Sequence, residues 1–481
     1  MAAIIDYMMA AGADRFTLSY HSAEVTPMRH YIAIPASAVL VYTLSLTAAT
    51  APRPGVDWPQ FRGISANGVA EGFSVPTEWN VAAGTNIAWK ADVPGLGLAS
   101  PIVWGDTVYV ATSISGQKDA GLKVGLYGNV EPVMDDTEHE WQIYALDKKT
   151  GKLRWQKSVL KAVPKIKRHT KATHANSTLA TDGQHLIAFF GSEGLYALDM
   201  DGKQLWKKDL GVLDAGWYTA PQMQWETGSS PVVHDGMVII QADVQKDSFI
   251  AAFDATTGNE VWRTKRGDVP TWSTPTVHQV NGQSRILVNG MREVGAYDFK
   301  TGKEIWRLSG GGDIPIPTPV VSDGMIYVTN AHGAFSPIYA IKDTASGNIS
   351  LESGTTSNAN IAWSVPRGGG YICTPLAYRG LVYIVTYNGV LSAYDGKTGE
   401  KKYQQRLLDS TASAFTSSPV ANDGRIYVAS EDGQVIVFRA GSTFERIATN
   451  DMGASVLATP ALSEGRLLIR TQGQVIAIAQ K

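Results

Sequence analysis

The sequence predicts an all-β fold: an eight-bladed β-propeller of four-stranded antiparallel blades. Three observations predict it: a unit that recurs eight times, tight turns spaced for short strands, and a composition with 48 Gly and 13 Trp. The unit opens on Ser or Thr, then Pro and an apolar pair, at Ser100-Pro101, Ser230-Pro231, Thr274-Pro275, Thr318-Pro319, Thr374-Pro375, Ser418-Pro419 and Thr459-Pro460. Ser177-Thr178-Leu179 supplies a copy without the Pro. Successive spacings of 77, 53, 44, 44, 56, 44 and 41 residues define a basic unit near 44, the length of one four-stranded blade, with insertions in three copies.

Within each copy the punctuation repeats. Asp182-Gly183, Asp235-Gly236, Asp323-Gly324 and Asp423-Gly424 separate a first strand (A) from a second (B), because Asp tolerates a positive φ and Gly adopts one freely. Glu193-Gly194, Asn388-Gly389 or Asp432-Gly433 leads into strand C, such as Tyr196-Ala197-Leu198-Asp199, and a Thr-Gly turn leads into strand D. The last copy supplies only A, B and C, ending at Gln474 to Ala479. Its outer strand is expected from Asn86-Ile87-Ala88-Trp89-Lys90, so that the N-terminal strand pairs with the C-terminal blade, closes the ring and removes an open edge.

Composition narrows the partners. With 42 Lys+Arg against 44 Asp+Glu, a net charge of -2 gives no general field to attract nucleic acid or an anionic membrane. The expected partner is a protein or small-molecule ligand at the propeller funnel, and the protein is expected to be monomeric. Cys373 is the single cysteine, which excludes an internal disulfide, a Cys-rich zinc site and a haem attachment, and its neighbours Ile372 and Thr374 suggest a buried strand.

Met28-Arg29-His30 precedes an uncharged run from Tyr31 to Ala51 that ends in Ala48-Ala49-Thr50-Ala51, the pattern of a secretory signal. It begins late, after a polar segment with Asp6, Asp14, Arg15 and Glu24, so Met28 is the expected start codon. Residues 1–27 are then an untranslated or disordered leader, 28–51 the signal peptide, 52–85 an N-terminal extension and 86–481 the propeller. The expected location is periplasmic or secreted, with no stable membrane span after signal removal. The alternative is an uncleaved anchor, since the run approaches the ~20 apolar residues of a membrane helix.

The C-to-D segment carries Ala-x-Asp-x-x-Thr-Gly-x-x-x-Trp, complete at Ala145 to Trp155, Ala252 to Trp262 and Ala296 to Trp306. Ala393 to Tyr403 repeats it with Tyr for Trp, and Ala197 to Trp206 is one residue short. This resembles the tryptophan-docking motif of pyrroloquinoline-quinone (PQQ) repeat propellers, the superfamily of quinoprotein dehydrogenases and BamB-like proteins, over residues 87–481. The resemblance implies that each Trp packs between blades and is structural. Members also open with a segment like Asp57-Trp58-Pro59-Gln60-Phe61-Arg62-Gly63, expected to pack on the propeller, with a docking peptide for a partner as the alternative.

The loops entering strand A and those joining B to C converge on one end of a propeller's channel. This places Trp225, Glu226, Trp272, Asp313, Arg292 and Asn330 among the candidates for a cofactor site, with Glu193, Asp243, Glu293, His332, Tyr371, Tyr387, Phe415, Glu431 and Asp432 nearby. Lys165 to His174 holds six basic or imidazole side chains, of which Arg168, His169, Lys171 and His174 are candidates for binding an anion or a carboxylate-bearing partner. No metal site is expected there. A calcium or zinc site in the insertion from Ser113 to Glu140, with Glu131, Asp135, Asp136, Glu138, His139 and Glu140, is the alternative to plain surface.

Two functions follow. The first is an exported, non-catalytic scaffold, as in the BamB-like members, although no cysteine follows the signal to carry a lipid anchor. The second is a PQQ- and calcium-dependent dehydrogenase of alcohols or sugars. The adjacent Cys pair of PQQ alcohol dehydrogenases is impossible here, no haem domain follows, and no catalytic residue can be named.

Overall fold

The computed structural model describes residues 51–117, 121–126, 131–332, 335–410 and 413–480. The expected leader and signal peptide lie outside these residues. Eight antiparallel sheets follow one another along the chain. Blade one comprises Ile102–Trp104, Thr107–Ser115, His139–Asp147 and Leu153–Ala162, and blade three Val232–His234, Met237–Ala242, Phe249–Asp254 and Glu260–Lys265. Helix is confined, among the described residues, to the short turns Ile64–Ala66 and Gly191–Glu193. The core is a series of apolar clusters between neighbouring blades, and strand C is buried on both faces, as at Leu195–Leu198.

The ring closes as the missing outer strand predicts. Ile87–Asp92 pairs antiparallel with Gln474–Ile478, placing Trp89 opposite Ala477. Docking motifs repeat that register: Ala145 faces Trp155, Ala197 faces Trp206, Ala252 faces Trp262, Ala296 faces Trp306 and Ala340 faces Trp363. The small Ala lets the indole lie flat and reach the next blade. There its N–H donates to the carbonyl that follows the motif Asp: Trp89 to Lys148, Trp155 to Met200, Trp206 to Ala255, Trp262 to Phe299 and Trp363 to Gly396. The ring rests on the Thr-Gly glycine, where a Cβ on Gly151 would sit 2.6 Å from Trp89. The motif Asp organises its own turn, Asp147 accepting from the amides of Lys149 and Thr150 and from the Thr150 hydroxyl.

Blade five departs from the pattern. Its Gly347–Asn348 pairs in parallel with Trp306 and Arg307 of blade four, and its own outer strand comes later, at Ile361–Val365. Trp306 is covered by this insertion, 1% exposed, with an indole N–H that has no partner.

The Ser/Thr-Pro repeat has a second role. Strand A is the inner edge of each blade, and Pro removes a backbone donor that would lack a partner there. The hydroxyl beside it accepts the amide of the preceding blade: Ser100 to Thr178 (3.1 Å), Thr178 to Ser230 (2.9 Å), Ser230 to Thr274 (2.9 Å), Thr318 to Thr374 (3.1 Å), Thr374 to Ser418 (3.0 Å) and Ser418 to Thr459 (3.0 Å). The repeat thus forms interblade hydrogen bonds at six of the eight junctions around the channel, and the buried Thr318 hydroxyl accepts none.

The extension threads into the channel from the side of the A-to-B turns. Trp58 exchanges backbone bonds with Val103 of blade one, Pro59 accepts from Thr181 of blade two, and Gly68 and Ala70 bond to Ala421 of blade seven. Arg62, 0% exposed, donates to the carbonyls of Pro375, Pro419, Ala66 and Asn67. Trp58 and Arg62 are therefore buried in the protein's own channel, and the docking-peptide alternative is corrected: they are not available to a partner.

Candidate functional site

Above the Ser/Thr hydroxyls the channel widens into a cavity of about 300 Å³. Phe61 of the extension reaches it from the opposite end. Ser100, Thr178, Ser230, Thr274, Thr318, Thr374, Ser418 and Thr459 ring the cavity, and Leu98, Ile314, Ile316 and Leu457 line its sides. The upper wall is an arc of aromatic rings. Trp217 and Trp225 stack at 6.0 Å and 14°, Trp225 meets Trp272 at 5.4 Å, Trp217 meets His332 edge-on at 6.0 Å, and His332 lies 5.4 Å from Tyr371.

Trp217 enters the arc on the hairpin of Gly216–Trp217 with Ala220–Gln224, inserted before blade three. Sequence reasoning missed it, because it anticipated only loops at blade entries; the signal was the excess of nine residues in that spacing over the 44-residue unit, 53 against 44.

The charged groups around the mouth answer one another. Lys171, whose ammonium burial holds below its ordinary pKa against the pull of Glu431, forms a direct ion pair with Glu431. Glu431 also accepts from the Thr416 hydroxyl and from the Gly125 amide. His332 Nδ1 lies 2.9 Å from Asp313. Glu226 is 2% exposed, and burial pushes its carboxyl up to about 8, whereas burial pushes the His174 imidazole down to about 4. Burial thus disfavours the charged form of each partner, and a 2.6 Å hydrogen bond joins Glu226 to His174 Nδ1. Burial also raises Glu193 to about 7.

Of the cofactor candidates, Trp225 and Trp272 line the cavity. Glu226 lies behind the wall, its backbone carbonyl accepting from the Trp272 indole. Asn330 is closed in a reciprocal amide pair with Asn289 at 2.8 and 2.9 Å, so its placement in an open funnel is corrected. Arg292 is exposed and is not part of the cavity wall. Asp313 is held by His332 rather than by Glu226 or Asn330. These oxygens do not converge, and among the described residues no three His, Cys, Asp or Glu side chains could hold a metal ion. The calcium–quinone arrangement that the superfamily implies does not fit them.

The basic segment divides. His169 and Lys171 face the central cavity, whereas Arg168 and His174 line a second one. In the blade-one insertion, Asp135 is buried rather than surface, bonded to Ser115 and Thr137. Cys373 is buried, and burial raises its thiol to about 12, which leaves it inert.

Fold and site thus define a PQQ-repeat propeller with an aromatic-walled channel. The chain belongs to the family described as outer membrane protein assembly factor BamB, whose model matches residues 69–211, 139–353 and 293–481. A protein of that description from Moranella endobia is 25% identical over 372 residues, spanning 73% of this chain and 85% of the relative. BamB from Moraxella catarrhalis superposes with a TM-score of 0.51 at 16% identity, over 76% of this chain and 98% of that one. Quinohemoprotein alcohol dehydrogenase from Comamonas testosteroni superposes at 0.58 with 15% identity, over 88% and 81%. At such identities the structural likeness speaks to fold alone.

Proposed function

We propose that the protein is an exported, non-catalytic scaffold of the cell envelope that receives a ligand or partner segment with a flat apolar face at the mouth of its propeller. The observation that carries this is the aromatic arc of Trp217, Trp225, Trp272 and Tyr371 over a cavity whose neighbouring charges are already paired, at Lys171 with Glu431 and His332 with Asp313. Such a surface rewards burial of an apolar face and provides no nucleophile poised beside a base. The name of the relatives, outer membrane protein assembly factor, supports a role in binding at the envelope. Export would rest on residues 28–51 acting as a cleaved signal, and the protein would act as a monomer.

A photo-crosslinking residue at Tyr371, in the wild-type cell, is expected to capture a partner or ligand that the same residue at the exposed outer-strand Leu205 does not. Equal labelling at the two positions refutes the mouth as the binding site. Dye-linked oxidation of an alcohol or sugar after adding PQQ and calcium overturns the non-catalytic reading. N-terminal sequencing of the exported protein tests the signal.

A further inference from the structure

A second cavity, of about 210 Å³, lies beside the first. Its walls are Ser113 and Ser115 of blade one's second strand, His139 of its third, and Arg168, Thr173 and His174 from the connection to blade two. Gly95, Leu96, Ile114, Gln117 and Gln472 complete the lining, which mixes apolar groups with these polar ones. Arg168 is 2% exposed, and its guanidinium is oriented by donating to the carbonyls of Ala172 at 3.0 Å and His169 at 3.4 Å. The Ser113 hydroxyl is buried with no partner, although a buried hydroxyl without one is destabilising. Thr173 uses its oxygen to accept the Ala175 amide and keeps its proton to donate. Nδ1 of His174 is taken by Glu226, which leaves Nε2 as the ring nitrogen for a ligand.

We propose that this cavity binds a small monocarboxylate, held by the Arg168 guanidinium and by the hydroxyl and imidazole donors of Ser113, Thr173 and His174. A planar guanidinium matches a carboxylate, and neutral donors complete its remaining lone pairs. The charge inventory selects a monoanion. Arg168 is the one permanent cation of the wall, and Asp135 beside it is already an anion, held below its ordinary pKa by Ser115 and Thr137 against the opposing effect of burial. A dianion such as sulfate would exceed what one guanidinium can answer in a buried site.

The ligand's charge also acts on His139. Its Nδ1 lies 3.0 Å from the Thr137 carbonyl and donates to it, and its Nε2 lies 3.4 Å from Asp135. The other groups facing it are His174, edge-on at 4.9 Å, and Arg168. Burial disfavours the charged form of His139 and a bound anion favours it. Carboxylate binding therefore takes up a proton and tightens as pH falls from 7.5 to 6.

The test is calorimetric titration of the full-length protein with acetate, lactate and propionate, against sulfate and chloride at fixed ionic strength. The expected result is saturable 1:1 binding of at least one of the three carboxylates, tightening several-fold between pH 7.5 and 6. Arg168→Gln and Ser113→Ala should each weaken it roughly tenfold, while Trp225→Ala in the central cavity leaves it unchanged. Should Arg168→Gln fail to fold, Ser113→Ala and the pH profile decide. No saturable binding of any of the three, equal affinity for sulfate, a flat pH profile, or wild-type affinity in Ser113→Ala overturns the proposal.

Discussion

Trp89 and Trp306 occupy equivalent positions on outer strands, each opposite an alanine, and both are almost fully buried, at 7% and 1% exposure. They differ in one respect: the Trp89 N–H donates to the Lys148 carbonyl at 2.9 Å, and the Trp306 N–H has no partner. Replacing each with Phe removes similar ring volume, so the packing losses largely cancel between the two variants. What remains is the hydrogen bond. Trp89→Phe forfeits about 1 kcal/mol of net bonding and leaves the buried Lys148 carbonyl unsatisfied, for about 1–3 kcal/mol in all, whereas Trp306→Phe removes a donor that was already unsatisfied. Trp89→Phe should therefore be the more destabilising by about 1–3 kcal/mol, read as the larger shift of the urea midpoint at unchanged slope. If Trp306→Phe costs as much or more, the bond to the next blade's carbonyl is not what makes the docking tryptophan hold the ring.

Further predictions concern the same interfaces and the buried charges. Gly151→Ala places a Cβ 2.6 Å from the Trp89 ring at a φ of +70° and should cost more than Gly236→Ala, where φ is +72° and nothing lies within 4 Å; thermal denaturation of the two separates contact from backbone strain. Lys171→Met leaves the Glu431 carboxylate buried without its cation and should destabilise by about 3–5 kcal/mol, much of it recovered in Lys171→Met with Glu431→Gln, as chemical denaturation can show. Glu226 and Glu193, raised from 4.5 to about 8 and about 7, hold protons that the unfolded chain releases, so they reduce stability as pH rises through that span. His174, lowered from 6.5 to about 4, does the opposite below pH 6.5. The two effects oppose one another up to 6.5, and the melting temperature should fall between pH 6.5 and 8; Glu226→Gln should flatten that fall, and an unchanged profile would contradict the upward shift of the Glu226 carboxyl.

Blade number, strand order and ring closure were legible in the sequence because each rests on local chemistry: a Ser/Thr-Pro start, a turn that needs Asp and Gly, an indole that needs a small residue opposite it. Blade five shows the limit, since Gly347–Asn348 joins its neighbour's sheet through a pairing that no local pattern encodes. The site was legible only in part. Trp225 and Trp272 follow from their place in a blade-entry loop, and both reach the cavity. Asn330 and Arg292 occupy equally plausible loop positions, yet one is turned inward by Asn289 and the other outward to solvent, choices made by side chains from other blades. Likewise the basic run from Lys165 to His174 gives no hint that its residues alternate between two cavities.

The extension that plugs the channel constrains how the protein can come into being. Trp58 and Arg62 precede every blade in the chain, yet Arg62 is seated by Pro375 and Pro419, and Ile87–Asp92 has no partner until Gln474–Ile478 exists. Blades one to seven each draw their four strands from one continuous stretch of chain, but the inner plug and the outer seam must wait for the tail. A chain that depends on its own ending cannot complete itself while it is emerging. It can lock only when the whole of it is present.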